Sequence, residues 1–362
     1  MILIGTDAGI YRWFDGCGWP IFHALQDRSI VDLASPGGGV LVALDREGTV
    51  YESVNNGQDW RTIPLAEGAG RPSALGVWGT APTVIVLATA RPLGLYRRVL
   101  GAPVPRLKAE RKPASPALIH RAQSLAAGAT DLLVRRRNVT TDPRAARAAG
   151  WTALGVPKAG TEIRALAFGQ GVNAPWFASV RGAGLWRSTD LGANWLRCAG
   201  IPDEVYALRL PPQRPGTVWA GTSNGCWLST DGGQNWEERS NGLDKERFVA
   251  ALEVKPGTPD TLLAGVGPFA PEAAASNSQP EVGYALFESK DGGKTWSHVT
   301  KKNHPEVIER DAIADIRYDP AAPDNILDAL ASGEVRASRN DGAYWGPIAR
   351  QTRAARVLCA TV

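Results

Sequence analysis

The chain has 362 residues, with 40 Lys and Arg against 36 Asp and Glu, for a net charge of +4. Arg135-Arg-Arg137 is its densest basic block, which excludes the heavy basic footprint of a nucleic-acid-binding protein. No apolar run approaches the length of a membrane-spanning helix. The four cysteines (Cys17, Cys198, Cys226, Cys359) are far apart without metal-ligand spacing, so they read as buried or free thiols.

In chain order, Met1-Ile-Leu-Ile-Gly-Thr-Asp-Ala-Gly-Ile-Tyr-Arg-Trp13 reads as strand and matches Val218-Trp-Ala-Gly-Thr-Ser-Asn-Gly-Cys-Trp227 further on. It lacks the apolar core of a secretory leader, and a cytoplasmic bacterial protein is expected. Ile30-Val-Asp-Leu33 then opens a repeat ending in Ser53-Val-Asn-Asn-Gly-Gln-Asp-Trp60. Ser73-Ala-Leu75 and Gln123-Ser-Leu125 open two more, of which only one has a terminal Trp, Trp151. Arg164-Ala-Leu166 leads to Ser188-Thr-Asp-Leu-Gly-Ala-Asn-Trp195, and Tyr206-Ala-Leu208 to Ser229-Thr-Asp-Gly-Gly-Gln-Asn-Trp236. Val249-Ala-Ala-Leu252 leads to Ser289-Lys-Asp-Gly-Gly-Lys-Thr-Trp296, and Ile313-Ala-Asp-Ile316 to Ser338-Arg-Asn-Asp-Gly-Ala-Tyr-Trp345. Ala355-Arg-Val-Leu358 begins an eighth repeat with no room to finish it.

The five turns share Ser-x-Asp/Asn-x-Gly-x-x-Trp, and each residue type has a local reason to be there. Asp or Asn bonds nearby backbone amides, Gly supplies a positive φ, and Trp opens the next strand by burying a large apolar surface. Asp190, Asp231 and Asp291 are therefore expected to be turn residues and not catalytic acids or metal ligands. Repeats of 41, 60 and 49 residues between successive Trp from Trp195 to Trp345 have the period of propeller blades. The 135 residues from Trp60 to Trp195 fit three more, and Trp19 ends a degenerate one. The expected fold is all-β: a single closed β-propeller domain over 1–362 of four-stranded antiparallel blades. Eight blades are expected, with seven as the alternative if 100–155 holds only one. Their approximate bounds are 28–66, 71–110, 120–156, 162–202, 204–244, 247–302 and 311–350. The closing blade joins 355–362 to 1–24, leaving no open sheet edge.

The turn motif resembles the Asp-box, or bacterial neuraminidase (BNR) repeat, found in sialidases, xyloglucan-cleaving glycoside hydrolases, sortilin-type receptors and photosystem II assembly factors. The resemblance implies that the motif turns lie on one face of the disc. Ligands then bind the opposite face, formed by the turns between second and third strands and by the links between blades. Residues leading into the inner strands there include Arg28, Arg71, Arg121, Arg247, Arg310 and Arg353, with Glu162 and Glu204 in the two remaining blades. The second-to-third-strand turns add Arg46, Arg91 and Arg181. Arg suits bidentate recognition of carboxylate or phosphate, so this arc reads as a funnel for an acidic small molecule or an acidic protein segment. Pairing with Asp27, Asp311 and Asp315 to hold blades together is the structural alternative.

The other functional reading is an enzyme on an anionic substrate, sialidase-like or another hydrolase or lyase. Arg28, Arg71 and Arg353 would clamp the anion, Glu204 or Glu162 would serve as acid/base, and Tyr206 as nucleophile or donor. The Phe/Tyr-Arg-Ile-Pro motif of sialidases is missing; Glu162-Ile-Arg-Ala-Leu166 does not match it. His23 and His298 are expected at the disc edge, facing solvent, and His120 and His304 on the funnel side. Two histidines without a clustered third ligand make no metal site, and no cofactor is expected. The long stretches 267–280 and 301–311 read as loops rimming the funnel.

Overall fold

The computed structural model describes residues 1–14, 20–65, 69–79, 83–91, 93–100, 150–157, 162–171, 173–202, 204–243, 247–268, 284–299, 311–349 and 355–360. They form seven four-stranded antiparallel sheets, each a meander. Blade 1 runs Ile30–Gly37, Val40–Asp45, Val50–Ser53 and Arg61–Ile63. Blade 2 runs Arg71–Trp78, Val84–Ala90, Gly94–Val99 and Thr152–Ala153. Blade 3 runs Ile163–Phe168, Trp176–Val180, Gly184–Ser188 and Leu196–Arg197. Blade 4 runs Val205–Arg209, Val218–Thr222, Gly225–Ser229 and Glu237–Glu238. Blade 5 runs Phe248–Val254, Leu262–Gly267, Ala285–Ser289 and Ser297–His298. Blade 6 runs Ile313–Asp319, Ala322–Leu330, Val335–Ser338 and Gly346–Ala349.

The closing blade pairs Ala355–Ala360 with Ile2–Thr6, followed by Gly9–Trp13 and Ile21–Ala24. Its register sets Leu3 opposite Cys359 and Ile4 opposite Leu358. Each inner strand packs on the next and Ala355–Ala360 on Ile30–Gly37, so the ring is closed.

The ring has seven blades, the alternative given above to eight. The described parts of 71–110 and 120–156 belong to one blade: Tyr96 pairs with Ala153 and Arg97 with Thr152. Trp151 closes that blade, and the expected inner strand at Gln123-Ser-Leu125 lies outside the described residues. Trp-to-Trp spacing cannot tell two short blades from one blade carrying a long insertion.

The second strands explain how the core forms. Ile2–Thr6, Trp176–Val180 and Val218–Thr222 are buried at every position, because each faces a neighbouring blade on both sides. Their sequences are accordingly almost uninterrupted apolar runs and do not alternate. The core is thus a series of inter-blade layers, such as Val42, Leu44, Ile85, Leu87 and Trp151 between blades 1 and 2.

All five motif turns join a third strand to a fourth, with one shared hydrogen-bond pattern. The Ser hydroxyl donates to the Asx side chain at 2.8–3.0 Å. The Gly amide donates to the Ser hydroxyl at 2.8–2.9 Å. The amide four residues after the Asx donates to its Oδ1 at 2.8–2.9 Å. Bonds from Thr295 hold the Asp291 carboxyl down at about 2, and those from Asn235 and Asn194 hold Asp231 and Asp190 below the usual range. Carboxylates so committed are unsuited to proton transfer.

Candidate functional site

The two kinds of loop on the other face are brought together by one backbone bond. The first amide of the second-to-third-strand turn donates to the carbonyl just before the inner strand: Arg46 to Ser29, Arg181 to Glu162, Ser223 to Glu204 and Ala331 to Ala312. Turn side chains from one blade therefore sit beside the lead-in to its inner strand. The inner strands of blades 1 to 6 also share one bulge, skipping Val31, Ser73, Arg164, Tyr206, Ala250 and Ala314 in the ladder. A bulge bends the strand and re-aims the side chain at that point.

These loops enclose a cleft of about 510 Å³ over blades 1 to 3, lined by Arg46, Arg71, Arg91 and Arg181, with Asp45 and Glu162 as its acidic residues. The bulge residues Val31 and Ser73 also line it. Asp45 is buried and already committed, accepting from the Tyr51 hydroxyl at 2.8 Å and the Thr49 amide at 2.7 Å. Glu162 stands 3.7 Å from Arg181, a long contact between half-exposed groups. Arg46 reaches Asp7 at 3.4 Å, and Arg71 donates to the Arg46 carbonyl. Arg91 is exposed at the tip of its turn, in the left-handed region at φ 55°.

The other expected site residues that fall within the described residues do not join this cleft. Arg28 is exposed, outside its lining. Arg247 is ion-paired to Glu238. Glu204 accepts from Arg164 at 2.8 Å and from the Tyr206 hydroxyl at 3.0 Å. Tyr206 is stacked between the Arg164 guanidinium, 4.5 Å from its centroid, and Phe248, 4.4 Å away. Burial pushes the Tyr206 hydroxyl up from its ordinary value. Arg121, Arg310, Arg353, His120, His304, Cys17, Trp19 and most of both long loops lie outside the described residues. His23 and His298 lie half-buried on the outermost strands of their blades: His23 donates to the Asn56 carbonyl at 2.9 Å, and the His298 ring lies 4.9 Å from that of Phe287. Cys198, Cys226 and Cys359 are buried free thiols. Burial pushes Cys198 to about 11 and Cys359 to about 12, so none is a poised nucleophile. Among the described residues no group of three metal-ligating side chains occurs.

Sequence reading missed a second polar assembly, on the ring axis. Arg209 of blade 4 reaches Glu253 of blade 5 at 3.0 Å and Asp315 of blade 6 at 3.4 Å. Arg317 bonds the same Glu253 at 3.0 Å and Asp315 at 2.7 Å. A contact between inner strands two blades apart requires the central tunnel. Asp315 also accepts from the Leu358 amide, and Asp32 of blade 1 from the Leu75 amide, so two carboxylates at matching strand positions each clamp the next blade. Burial raises Asp32 to about 7, with Asp315 adding to the rise and Arg317 opposing it. The signal lay in the alignment: Arg209, Glu253 and Arg317 each follow the Leu or Ile of an inner-strand core.

No protein-family model and no curated protein matches the sequence. The fold is similar to the GH74 xyloglucanase from Xanthomonas campestris, with TM-score 0.59 and 16% identity over 94% of this chain and 47% of that one. It is similar to YCF48 bound to D1 peptide, with TM-score 0.56 and 15% identity over 95% and 86% of the two chains. The GH74 enzyme from Niastella koreensis is a third, with TM-score 0.56 and 14% identity over 88% and 46%. The chain spans about half the length of these two glycoside hydrolases, and at such identities the likeness is one of fold.

Proposed function

We propose that this chain is a binding propeller of the Asp-box type, whose face of second-to-third-strand turns takes an acidic segment of a protein partner. The observation that carries the reading is the 510 Å³ cleft in which four arginines meet two carboxylates, one of them buried and committed. A cleft dominated by one charge sign concentrates ligands of the other, and guanidinium forks match carboxylates in pairs. The five like-built turns support the superfamily assignment. The peptide held by the similarly folded YCF48 favours a protein segment over a small molecule.

The enzyme reading has one observation in its favour, the Tyr206–Glu204 hydrogen bond. A nucleophilic tyrosine is activated by a lowered pKa or by a free base beside it, and burial moves this hydroxyl up. Glu204, the carboxylate beside it, is already engaged by Arg164 at 2.8 Å.

The test is titration of a labelled Glu- and Asp-rich peptide against wild type and an Arg91→Ala/Arg181→Ala variant. Wild-type binding that weakens with salt and falls about tenfold or more in the variant supports the reading. Affinity equal in both proteins sinks it. Turnover of anionic glycosides, lost in Glu204→Gln with binding kept, would move the assignment to the enzyme reading.

A further inference from the structure

A second cleft, of about 470 Å³, opens on the opposite face between blades 4 and 5. It lies among the motif turns and the first-to-second-strand turns, so it shares no residue with the arginine cleft. Its lining includes Arg214, Arg239, Lys290 and Lys294 against Asp260 and Asp291. We propose that it binds a small phosphate-bearing molecule.

The cleft has a specific origin in the repeat. In blade 3 the residue before the motif Ser is Arg187, which crosses to blade 4 and donates to the Gly232 carbonyl at 3.1 Å. In blade 4 the same position is Leu228. It is too short to make that crossing, and the space that Arg187 occupies at the neighbouring junction stays open at this one. Trp219 closes the floor against Gly293, where a Cβ would meet the indole at 2.6 Å.

The charge is also peculiar to this junction. The blade 5 turn, Ser289-Lys-Asp-Gly-Gly-Lys-Thr-Trp296, has lysine at both variable positions flanking its Asp-Gly-Gly. The corresponding pairs in the other turns are Val54 and Gln58, Thr189 and Ala193, Thr230 and Gln234, and Arg339 and Ala343. Turn geometry is the same in all five, so folding does not demand these lysines. Lys290 is 66% exposed, beside Glu288 at 3.3 Å. Lys294 has no ion-pair contact among the described residues.

Asp260 offsets Arg214, and Glu237 pairs with Arg239 at 2.8 Å, so the cleft's available positive charge rests on the two lysines. Both Asp260 oxygens are taken by the Arg214 fork, which holds the Asp260 carboxyl below its ordinary range. Asp291 is bound up in its own turn by Ser289 and Thr295. The Lys290 and Lys294 ammonium groups thus line a pocket of ligand size, with Thr217 and Thr230 as hydroxyl partners. Lysine supplies point charge to a phosphate without demanding planar geometry.

The probe is pyrophosphate at constant ionic strength, read by thermal shift and calorimetry. Wild type should be stabilised, and Lys290→Gln/Lys294→Gln should keep its unliganded melting temperature while binding about tenfold or more weakly. Leu228→Arg, which fills the cleft as Arg187 fills its neighbour, should fold and lose binding as well. Arg91→Ala/Arg181→Ala should bind as wild type, which separates this site from the proposed function. No shift in wild type, equal binding by the lysine variant, or equal loss in the arginine variant each overturns the proposal.

Discussion

A tryptophan that closes a blade is buried where its indole bonds the chain leaving the blade before it. Trp151 donates to the Pro64 carbonyl at 2.9 Å, Trp195 to Gly155 at 3.0 Å and Trp296 to Arg239 at 2.7 Å. Each bond ties one blade to the chain leaving its predecessor, and all three indoles are buried. Trp60 and Trp345 instead bond the Gly of their own turn, and with Trp236 they are only partly buried. The common motif therefore hides two environments. Trp296→Ala should cost about 3–5 kcal/mol, as for large aromatics removed from cores. Trp236→Ala should cost less, since part of its indole stays in water and that part contributes nothing to burial. Chemical denaturation of the two variants reads the difference; equal losses would mean that the turn, and not the inter-blade bond, sets the value.

At the scale of strands and turns, most of the ring was legible. Seven of the eight expected inner-strand cores lie in inner strands, because a Leu or Ile that must pack between blades recurs with the blade. The closing pairing was legible for the same reason: the chain begins with strands that lack an inner partner. The blade count was not, since spacing counts residues and the insertion in blade 2 adds them without adding a blade. The arginine cleft was half legible. Turn and lead-in residues could be sorted onto one face, but which side chains meet depends on the bulges and on partners such as Glu238 for Arg247, which no local pattern reveals. Arg91 tests how far its turn serves the site. Blades 1, 3 and 6 use Gly48, Gly182 and Gly333 at positive φ in this turn. In blade 2 the residue after Arg91 is Pro92, whose ring fixes φ negative, and the left-handed position falls on the arginine. A side chain in that region costs about 1–2 kcal/mol, while glycine loses more freedom on folding by roughly 0.5–1 kcal/mol. Arg91→Gly should therefore fold within about 1 kcal/mol of wild type and lose acidic-peptide affinity. A stable variant that still binds would remove Arg91 from the site.

At the scale of the molecule, the axial assembly couples blades that share no sheet. It joins Arg209 and Arg317 to Glu253 and Asp315, two charges of each sign, with Asp32 facing them from blade 1. A fifth charge has no partner left, which is the physical sense of an Asp32 carboxyl raised to about 7 by burial. The nearby Cys359 thiol is pushed to about 12 and stays neutral across the range that matters. The sign of the consequence follows from proton counting. Between about 4 and about 7 the folded chain holds a proton on Asp32 that the unfolded chain has released, so stability falls as pH rises through this window and is flat above it. A shift of this size corresponds to an effect on the order of 4 kcal/mol at most, reduced by what lumen water screens. The turn aspartates act in the opposite direction but below pH 4, where their lowered carboxyls begin to protonate. Melting temperature should thus decline by several degrees from pH 5 to pH 8 at fixed ionic strength. Asp32→Asn should flatten that slope while lowering the curve as a whole, because one amide oxygen replaces the two that serve Leu33 and Leu75. A slope unchanged in Asp32→Asn would place the titrating group elsewhere in the ring, and a wild-type curve flat from pH 5 to 8 would mean that the axial carboxylates are all ionised together.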